Sequence, residues 1–417
     1  MKATLKRVRG IVLLMGLSVL FSQLHAQNGD NFYMIGGVIK NARTKKAIEY
    51  VTVSATGTHV GTIANEDGEF ILKINDNLNV TEIELSCLGY FNTKVPVSRQ
   101  NALNQEFLMQ PQPYPLKEIH IKGWNSALEL MEIAIEKIEN NYSQTPNLLT
   151  GFYRETAQKG RRYITVSEAV VNIFKDSYKK NTDRDKVQIL KGRKLVSPKI
   201  NDTLAVKLLG GPNISIYLDI VKNPELLLEK EILHLYSYKL DEPIYINDRL
   251  QFVVRFVPRI IVDYPLYTGT FYIDQETLAF TRAEFSMDMK DKEKVTNIIL
   301  YRKPAGLRFY PDEVSYIVSY RQQDDKTYLH YINNILRFKC DWKRRLFATN
   351  YTVISEFVIT DNQKENPSRI AAKDSFSNRQ SLSDEAMSYF DSYFWGAYNI
   401  IEPTESLESA ANKLKKD

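Results

Sequence analysis

The segment TIANEDGEF, residues 62–70, places three oxygen-bearing side chains directly before Gly68. Side-chain oxygens of Asn, Glu and Asp are ligands of Ca²⁺, and a calcium loop of the EF-hand type continues with further ligands and a closing Glu. Here the residues after Gly68 alternate between polar and apolar types in EFILKI, as in a β-strand. The sequence therefore predicts a turn rather than a calcium site, with Asp67 and Gly68 at the tip of a hairpin and Gly68 at a positive φ.

The histidines form no catalytic or metal-binding motif. After residue 26 the chain has His59, His120, His234 and His330, and none of them begins an HxxE or HExxH motif. A zinc carboxypeptidase needs a His and a Glu on one segment, a second His and an open position for water. The sequence also has no GxSxG elbow, Walker loop or GxGxxG loop. We predict no catalytic residue, no metal site and no cofactor, and the alternative is a hydrolase built from dispersed carboxylates.

Residues 1–26 have the features of a secretory signal peptide. Four basic residues precede an uninterrupted apolar run, GIVLLMGLSVLF, and small Ala26 precedes Gln27 at the expected cleavage point. The run is shorter than the roughly 20 residues that a spanning helix needs, so a retained anchor is the less favoured alternative. The residue directly after the cleavage point is Gln27 and not a cysteine, so a lipid anchor is not expected.

Charge and cysteine content exclude further classes. The whole chain has 55 Lys and Arg against 50 Asp and Glu, and four of the basic residues lie in the signal segment, so the remainder is nearly neutral. No nucleic-acid partner is therefore predicted. The two cysteines, Cys87 and Cys340, fall in different predicted domains, and we expect small buried side chains rather than a disulfide. A length of 417 residues suggests two or three domains.

Residues 32–110 have the rhythm of a small β-sandwich. Turn residues separate short runs of period-two alternation or β-branched enrichment, which predicts about seven antiparallel strands. The runs are YMIGGVIK, EYVTVSAT, GTIA, GEFILKI, TEIELSCL, NTKVPVS and QEFLM.

The same region resembles the carboxypeptidase D regulatory-like domain, a transthyretin-like (prealbumin-like) sandwich found in envelope proteins of the Bacteroidetes. The resemblance is carried by GGVIKNARTKKAIEYVTVSATGTHVGTIANEDGEFILKI and IELSCLGYFNTKVPV. It implies a folded module without an activity of its own, next to a larger partner domain. The matching positions are Gly37, residues 47–53, Gly61, Thr62, Asp67, Gly68, Phe70, Gly89 and Tyr90.

A proline-containing linker and an amphipathic helix follow the sandwich. The linker is assigned to residues 111–125. Residues 126–142, SALELMEIAIEKIENNY, place apolar side chains on one face and glutamates opposite, and Ser126 with Glu129 forms a capping box. We predict a helix that packs on an apolar surface.

Residues 126–402 are predicted to form a larger α+β domain, and residues 403–417 a C-terminal helix or tail. About eight to ten antiparallel strands are expected in a curved sheet, so that the chain is mainly β. A mixed insert, residues 176–237, interrupts them. The segment FYIDQETLAFTRAEF predicts a hairpin whose first strand ends at Asp274, and this rhythm resembles lipoprotein-carrier half-barrels. The assigned strands are YITVSEAVVNIF, LQFVVRFV, GTFYID, LAFTRAEFS, VTNIILYR, EVSYIVSY, TYLHYINNILRF and TNYTVISEFVI.

Two further segments, NYSQTPNLLTGFYRE and YFWGAYNIIEPTESL, resemble parts of a larger family of envelope proteins, a resemblance that implies no activity. The second contains Trp395. In the first, Tyr153, Arg154 and Glu155 allow two readings. Arg154 and Glu155 could line a ligand groove, or the three residues alternate sides at a strand edge, with one capping or pairing with a neighbour. We favour the structural reading.

Three classes of function follow. We favour a noncatalytic exported cell-envelope protein, in the periplasm or outer membrane of a Gram-negative cell, whose larger domain binds an envelope protein or an amphipathic ligand. The Tyr- and Phe-rich sheet could line a groove, or these aromatics could fill a thick core. Peripheral membrane association stays open. The alternatives are an outer-membrane β-barrel or a component associated with a TonB-dependent transporter, and the unrecognised hydrolase.

Overall fold

The computed structural model describes residues 32–113, 126–199, 204, 206–208, 211–343, 347–363, 367–377, 382 and 394–416. The predicted signal peptide, residues 114–125 of the predicted linker and His120 lie outside this set. In the part of the chain that the structure describes, no helix is long and apolar enough to span a membrane.

The N-terminal domain is a sandwich of two small sheets, as predicted. A three-stranded sheet has the order β4-β1-β7 and a four-stranded sheet the order β3-β2-β5-β6, with a common apolar core between them. All pairs are antiparallel except β1 with β7, which is parallel. The strands are β1 Phe32–Asn41, β2 Thr52–Ala55, β3 Gly61–Ile63, β4 Glu69–Asn75, β5 Glu82–Ser86, β6 Thr93–Pro96 and β7 Ala102–Met109.

The turn at Asp67 and Gly68 differs from a hairpin in one respect. Gly68 has the predicted positive φ, +75°, but β3 and β4 belong to different sheets, so the turn carries the chain from one sheet to the other. Asn65 organises the turn, because its Oδ1 accepts hydrogen bonds from the backbone N–H of Asp67 at 3.0 Å and of Glu69 at 2.8 Å. The prediction of a tight turn is confirmed, and the prediction of a hairpin is wrong.

The larger domain is built on a ten-stranded antiparallel sheet with the order β10-β9-β8-β19-β18-β17-β15-β14-β13-β12. A separate pair joins β11, Lys207–Leu208, to β16, Leu300–Arg302. The ten strands are β8 Asn147–Lys159, β9 Arg162–Lys175, β10 Lys186–Val196, β12 Tyr236–Ile246, β13 Arg249–Pro258, β14 Tyr267–Asp274, β15 Phe280–Met287, β17 Leu307–Gln323, β18 Lys326–Trp342 and β19 Thr349–Gln363.

The described helices are short. The helix predicted for residues 126–142 begins as expected, with Ser126 Oγ accepting from the N–H of Glu129 at 3.1 Å, but breaks at Lys137. The strand predicted at 295–302 is instead mostly helical. The α-helices are α1 Ala127–Glu136, α2 Ile138–Asn141, α3 Ile214–Tyr217, α4 Lys230–Leu233, α5 Lys292–Ile299 and α6 Glu405–Lys416; 3₁₀ turns lie at Pro224–Leu226 and Ala372–Asp374.

The two faces of the large sheet differ. Tyr153 of β8 and Phe357 of β19 belong to a core that also contains Leu130 and Met131 of α1. Their chain neighbours Phe152 and Val358 point the other way, into a cluster that includes Ile63 of the sandwich. One face of the sheet therefore carries the main core, and the other receives the sandwich.

The core on the helix side contains a buried charged network. Lys175 Nζ lies 2.5 Å from Asp219 Oδ2, and both side chains are almost completely buried. The hydroxyls of Tyr178 and Tyr320 each donate to Asp219 at 2.9 Å. Lys222 Nζ donates to three backbone carbonyls. The hydroxyls of these tyrosines are thus committed to fixing the insert against the sheet.

Candidate binding site between the two domains

A cleft of about 810 Å³ separates the sandwich from the second face of the large sheet. The sandwich contributes β2 and the turn after it, and the large domain contributes β13, β15 and β17 with the turn that leads to β18. Its walls are held by strands of two different sheets, so the cleft is a consequence of how the domains pack. Its volume falls in the range of about 300–1,000 Å³ typical of small-molecule sites.

Hydrogen bonds between the domains fix the width of the cleft. His330 Nε2 lies 3.1 Å from Thr52 Oγ1. Gln323 Nε2 donates to the carbonyl oxygen of Thr58 at 2.7 Å. At the other end, the N–H of Gly89 donates to the carbonyl oxygen of Tyr245 at 3.2 Å. Because these contacts join β18, β17 and β12 to the sandwich, the cleft is bridged at both ends.

Two of the arginines in the cleft are neutralised by carboxylates. Arg249 Nε lies 2.5 Å and its Nη2 2.7 Å from the two oxygens of Asp274. Burial alone would raise the pKa of Asp274, but the hydrogen bonds from Arg249 and Thr277 lower it below its ordinary value. Arg282 Nε lies 2.6 Å from Glu284 Oε1.

Two polar atoms in the lining lack a partner. Thr56 Oγ1 and Asn92 Oδ1 are buried and make no hydrogen bond within the described residues. An unsatisfied buried polar group costs about 1–3 kcal/mol, so it points to a partner supplied by solvent or by a ligand. The lining is therefore suited to a polar occupant.

Two titratable groups of the cleft, His330 and Cys87, have pKa values that are shifted away from neutral pH. Burial, with the nearby charge of Arg321, lowers the pKa of His330 to about 3, so the imidazole is neutral. Burial raises the pKa of the Cys87 thiol to about 11, so it is not a thiolate. General acid–base work at neutral pH needs a pKa near the working pH. These two groups are consequently suited to contact a ligand but not to transform it.

The C-terminal segment, residues 394–405, closes one side of the domain junction through Arg154. This side chain is only 2% exposed. Its Nη2 donates to the carbonyl oxygen of Ile401 at 2.6 Å, and its Nε donates to Glu168 Oε1 at 2.7 Å. Arg193 Nε bonds the second oxygen of Glu168 at 2.6 Å. Arg154 therefore fastens the segment to the large sheet.

The same segment is bonded to the sandwich. Asn399 accepts from the N–H of Lys73 at 2.7 Å and donates to its carbonyl oxygen at 3.0 Å. Thr62 Oγ1 donates to the carbonyl oxygen of Ile400 at 2.8 Å. The N–H of Glu405 donates to Asp67 Oδ2 at 2.9 Å. Asn65 and Asp67, two of the three residues that suggested a calcium loop, thus engage the chain's own C-terminal segment.

Most residues singled out in the sandwich have structural positions. Phe70 is buried against Phe107, with ring centroids 5.3 Å apart. A Cβ at Gly37 would lie 1.9 Å from the carbonyl oxygen of Gln105, so glycine allows the close approach of β7. Tyr90 hydroxyl accepts from Asn41 Nδ2 at 3.0 Å. These contacts stabilise the module, and of these three residues Tyr90 also lines the cleft.

The residues singled out in the larger domain divide between the two faces of the sheet. Tyr153 hydroxyl donates to Glu155 Oε2 at 2.8 Å on the helix side, opposite Arg154. The prediction that these residues lie at a strand edge is wrong, because their strand, β8, lies inside the sheet. The predicted pairing with a neighbour is observed for Arg154. Trp395 stacks edge-on against Phe152 with centroids 5.4 Å apart. None of these four residues lines the cleft.

Of the positions that carried the family resemblance, Tyr90 and parts of the segment 47–53 line the cleft, but the remaining cleft residues were not found from the sequence. Gln323, Arg321 and His330 occupy ordinary strand positions, and their partners lie more than 260 positions away in the chain. Alternation within β17 and β18 could show that these side chains point away from the core, but nothing local shows that a second domain covers them. Within the described residues, no three His, Cys, Asp or Glu side chains are grouped as a metal site requires.

Three solved structures are similar to parts of the chain, all with low scores. A domain described as an outer membrane lipoprotein-sorting protein, from Vibrio parahaemolyticus, has a TM-score of 0.26 and 12% identity over 60% of this chain and 97% of its own. A DUF1329 family protein from Desulfovibrio piger has a TM-score of 0.24 and 10% identity, over 58% and 93%. A LolA superfamily protein from Nitrosomonas europaea has a TM-score of 0.21 and 10% identity, over 60% and 99%.

The search of curated proteins gives no match. The family comparison matches residues 35–121, which span nearly all of the sandwich and most of the predicted linker. The chain carries a CarboxypepD_reg-like domain at residues 35–121, and a larger β-rich domain follows it.

Proposed function

We propose that the protein is an exported, noncatalytic cell-envelope protein that binds a polar ligand in the cleft between its two domains. The observation that carries this proposal is the cleft itself. It has about 810 Å³, is walled by both domains and contains the unsatisfied atoms Thr56 Oγ1 and Asn92 Oδ1. Export rests on the predicted signal peptide at residues 1–26. The division into domains at 32–110 and 126–402 belongs to the same proposal.

The absence of catalysis is proposed on chemical grounds. A nucleophile or general base in the cleft would need a pKa near the working pH. The thiol of Cys87 and the imidazole of His330 are shifted in opposite directions, to about 11 and about 3. Asp274 is held ionised by Arg249. These groups favour recognition over reaction.

The site we propose differs from the aromatic groove that the sequence suggested. Tyr153 and Tyr320 are at most 5% exposed, and their hydroxyls are bonded inside the protein. The lining of the cleft is mostly polar and includes three tyrosines and a few apolar side chains, such as Ile48 and Leu88. An amphipathic ligand is compatible with this mixture, but its polar part is expected to supply most of the contacts.

The test is native mass spectrometry of the mature protein purified from its own envelope. Ser54 and Ser319 line opposite walls of the cleft, so Ser54→Trp and Ser319→Trp each place a large side chain in it. Ser98, exposed on the sandwich surface, supplies the matched control Ser98→Trp. We expect a copurifying ligand on wild type and on the control, and its loss from both cleft variants. Cooperative thermal unfolding of each variant establishes that it is folded. Retention of the ligand by both folded cleft variants would refute the proposed site.

A further inference from the structure

Arg321 lies near the end of β17 and faces the sandwich across the cleft. Its Nη2 donates to the carbonyl oxygen of His59 at 3.3 Å and to Gln323 Oε1 at 3.0 Å. Both acceptors are neutral. No Asp or Glu among the described residues forms an ion pair with Arg321, in contrast to Arg249 and Arg282, which are both paired.

The position of Arg321 is costly without a counter-ion. A guanidinium has five N–H donors, and the described hydrogen bonds of Arg321 are made by one nitrogen. Burying an unpaired charge is unfavourable. Burial lowers the pKa of Arg321, and the charges of Glu84 and Asp361 oppose this only in part. The protein therefore holds a partly desolvated cation on the wall of an open cleft.

The local backbone leaves space for this side chain. A Cβ at Gly61 would lie 3.0 Å from Arg321 Nη1, so glycine at the start of β3 accommodates the guanidinium. His330, which lies in the same lining, is kept neutral and does not compete as a second cation. Arg321 thus occupies a position shaped by both domains.

We propose that Arg321 recognises a single oxyanion group on the ligand of the cleft, and this inference rests on the proposed function. The oxyanion is a carboxylate, a phosphate or a sulfate. Arginine forms charge-assisted and often paired hydrogen bonds with such groups. The remaining lining is acidic at Glu49, Glu84, Asp324 and Asp325. A polyanion would be repelled there, so the rest of the ligand is neutral or cationic and donates hydrogen bonds.

The experiment is a calorimetric titration of the mature chain with small probes. N-acetylglycine and N-acetylglycinamide differ only in the charged group, and methyl phosphate and inorganic sulfate test the other oxyanions. We expect the acid to bind more tightly than the amide, and the preferred oxyanion to identify its source class. Arg321→Gln is expected to weaken binding of that probe about 10- to 100-fold, as for a lost hydrogen bond to a charged group. Equal binding of acid and amide by wild type would overturn the inference.

The matched control is Arg308→Gln, an exposed arginine on the same strand, which should bind like wild type. Arg321→Lys, which keeps the charge without the planar fork, is expected to recover part of the affinity. Because Arg321 has no carboxylate partner among the described residues, Arg321→Gln is also expected to leave the thermal stability of the ligand-free protein unchanged or higher. Marked destabilisation would indicate a structural role and contradict the inference.

The copurified ligand separates this inference from the proposed function. If Arg321→Gln retains that ligand as tightly as wild type while Ser54→Trp loses it, the cleft binds a ligand but the role of Arg321 is wrong. If both cleft-filling variants retain the ligand, the proposed function fails and this inference with it. Loss in Arg321→Gln and Ser54→Trp, with retention in Arg308→Gln, supports both.

Discussion

Replacing Arg154 by Met should weaken the junction between the C-terminal segment and the large sheet. Arg154 is bonded to Glu168 and to the carbonyl oxygens of Ile401 and Glu402, at 2.7, 2.6 and 3.3 Å. Its removal leaves buried Glu168 with one fewer cation and two carbonyls without this donor. Breaking a buried ion pair by removing one partner costs about 3–5 kcal/mol.

The lower end of that range applies, because Arg193 still bonds Glu168 at 2.6 Å. We therefore expect Arg154→Met to lower the free energy of unfolding by about 3 kcal/mol. At about 2–4 °C per kcal/mol for a domain of this size, the melting temperature should fall by about 6–12 °C. The same contact predicts faster amide hydrogen exchange in residues 399–405, which Arg154 holds in place.

The assay is urea and thermal unfolding, with Arg161→Met as the matched control. Arg161 is exposed in the turn between β8 and β9, so its replacement should change stability by less than about 0.5 kcal/mol. A double-mutant cycle of Arg154→Met with Glu168→Gln should show a coupling of about 0.5–3 kcal/mol. If Arg154→Met and Arg161→Met were equally stable, and exchange at 399–405 were unchanged, the proposed fastening of the segment would be wrong.

Three further predictions concern the turn, the pH dependence and the thiols. Gly68→Ala should lower the free energy of unfolding by about 1 kcal/mol or more, because φ is +75° and the new Cβ would lie 2.7 Å from a backbone oxygen. Gly57→Ala, at φ +76° with open space around it, should lower it less, as measured by urea unfolding. Equal losses in the two variants would contradict the steric part of the argument. Burial raises the pKa of Glu402 to about 7 from its ordinary 4.5, so the folded state binds this proton more tightly than the unfolded state. The free energy of unfolding should therefore fall as the pH rises from 4.5 to about 7, and it should fall less in Glu402→Gln. An identical pH profile for the two proteins would contradict the shift. Burial raises the pKa of both Cys87 and Cys340 to about 11, so alkylation of the native protein should be slow. After unfolding without reductant, intact mass analysis should show that both thiols react with the alkylating reagent. A mass that corresponds to a disulfide would contradict this prediction.

The sandwich could be predicted from the sequence because its strands bury one face each. In β4, the alternate residues Phe70, Leu72 and Ile74 are at most 1% exposed, so the period-two pattern reports burial directly. The sequence did not show to which of the two sheets each strand belongs. The turn at Gly68 has the same local chemistry whether its strands pair with each other or separate into two sheets.

The errors in the larger domain have local causes. β10 and β12 are the two edges of the ten-stranded sheet and carry many polar residues, so their alternation is weak. β10 was left inside the mixed insert, and β12, which begins at the end of the insert, was assigned to no strand. The β-branched run at 295–302 suggested a strand, but Asp291 Oδ1 accepts from the N–H groups of Glu293 and Lys294 and starts α5. The capping signal was present in the sequence and prevailed over the strand propensity.

The binding site could not be predicted because it depends on contacts between domains. Thr52 and His330 are 278 positions apart and meet only when the sandwich packs on the large sheet. Arg154 was singled out from the sequence, but it is buried and paired on the side of the junction that residues 394–405 close. Its role there is structural. Arg321, which lies in the cleft and forms no ion pair with a carboxylate of the described residues, has no distinguishing motif around it in the sequence. Its significance follows from what surrounds it in three dimensions.

A crystal structure of the mature protein, purified from its native envelope without removal of bound molecules, is the most direct test of binding in the cleft. We predict continuous density for a ligand between β2 and β17, with an oxyanion within hydrogen-bond distance of Arg321 and polar atoms near Thr56 and Asn92. Density for a copurified ligand elsewhere, such as between α1 and the large sheet, with only water in the cleft, would contradict the proposed site.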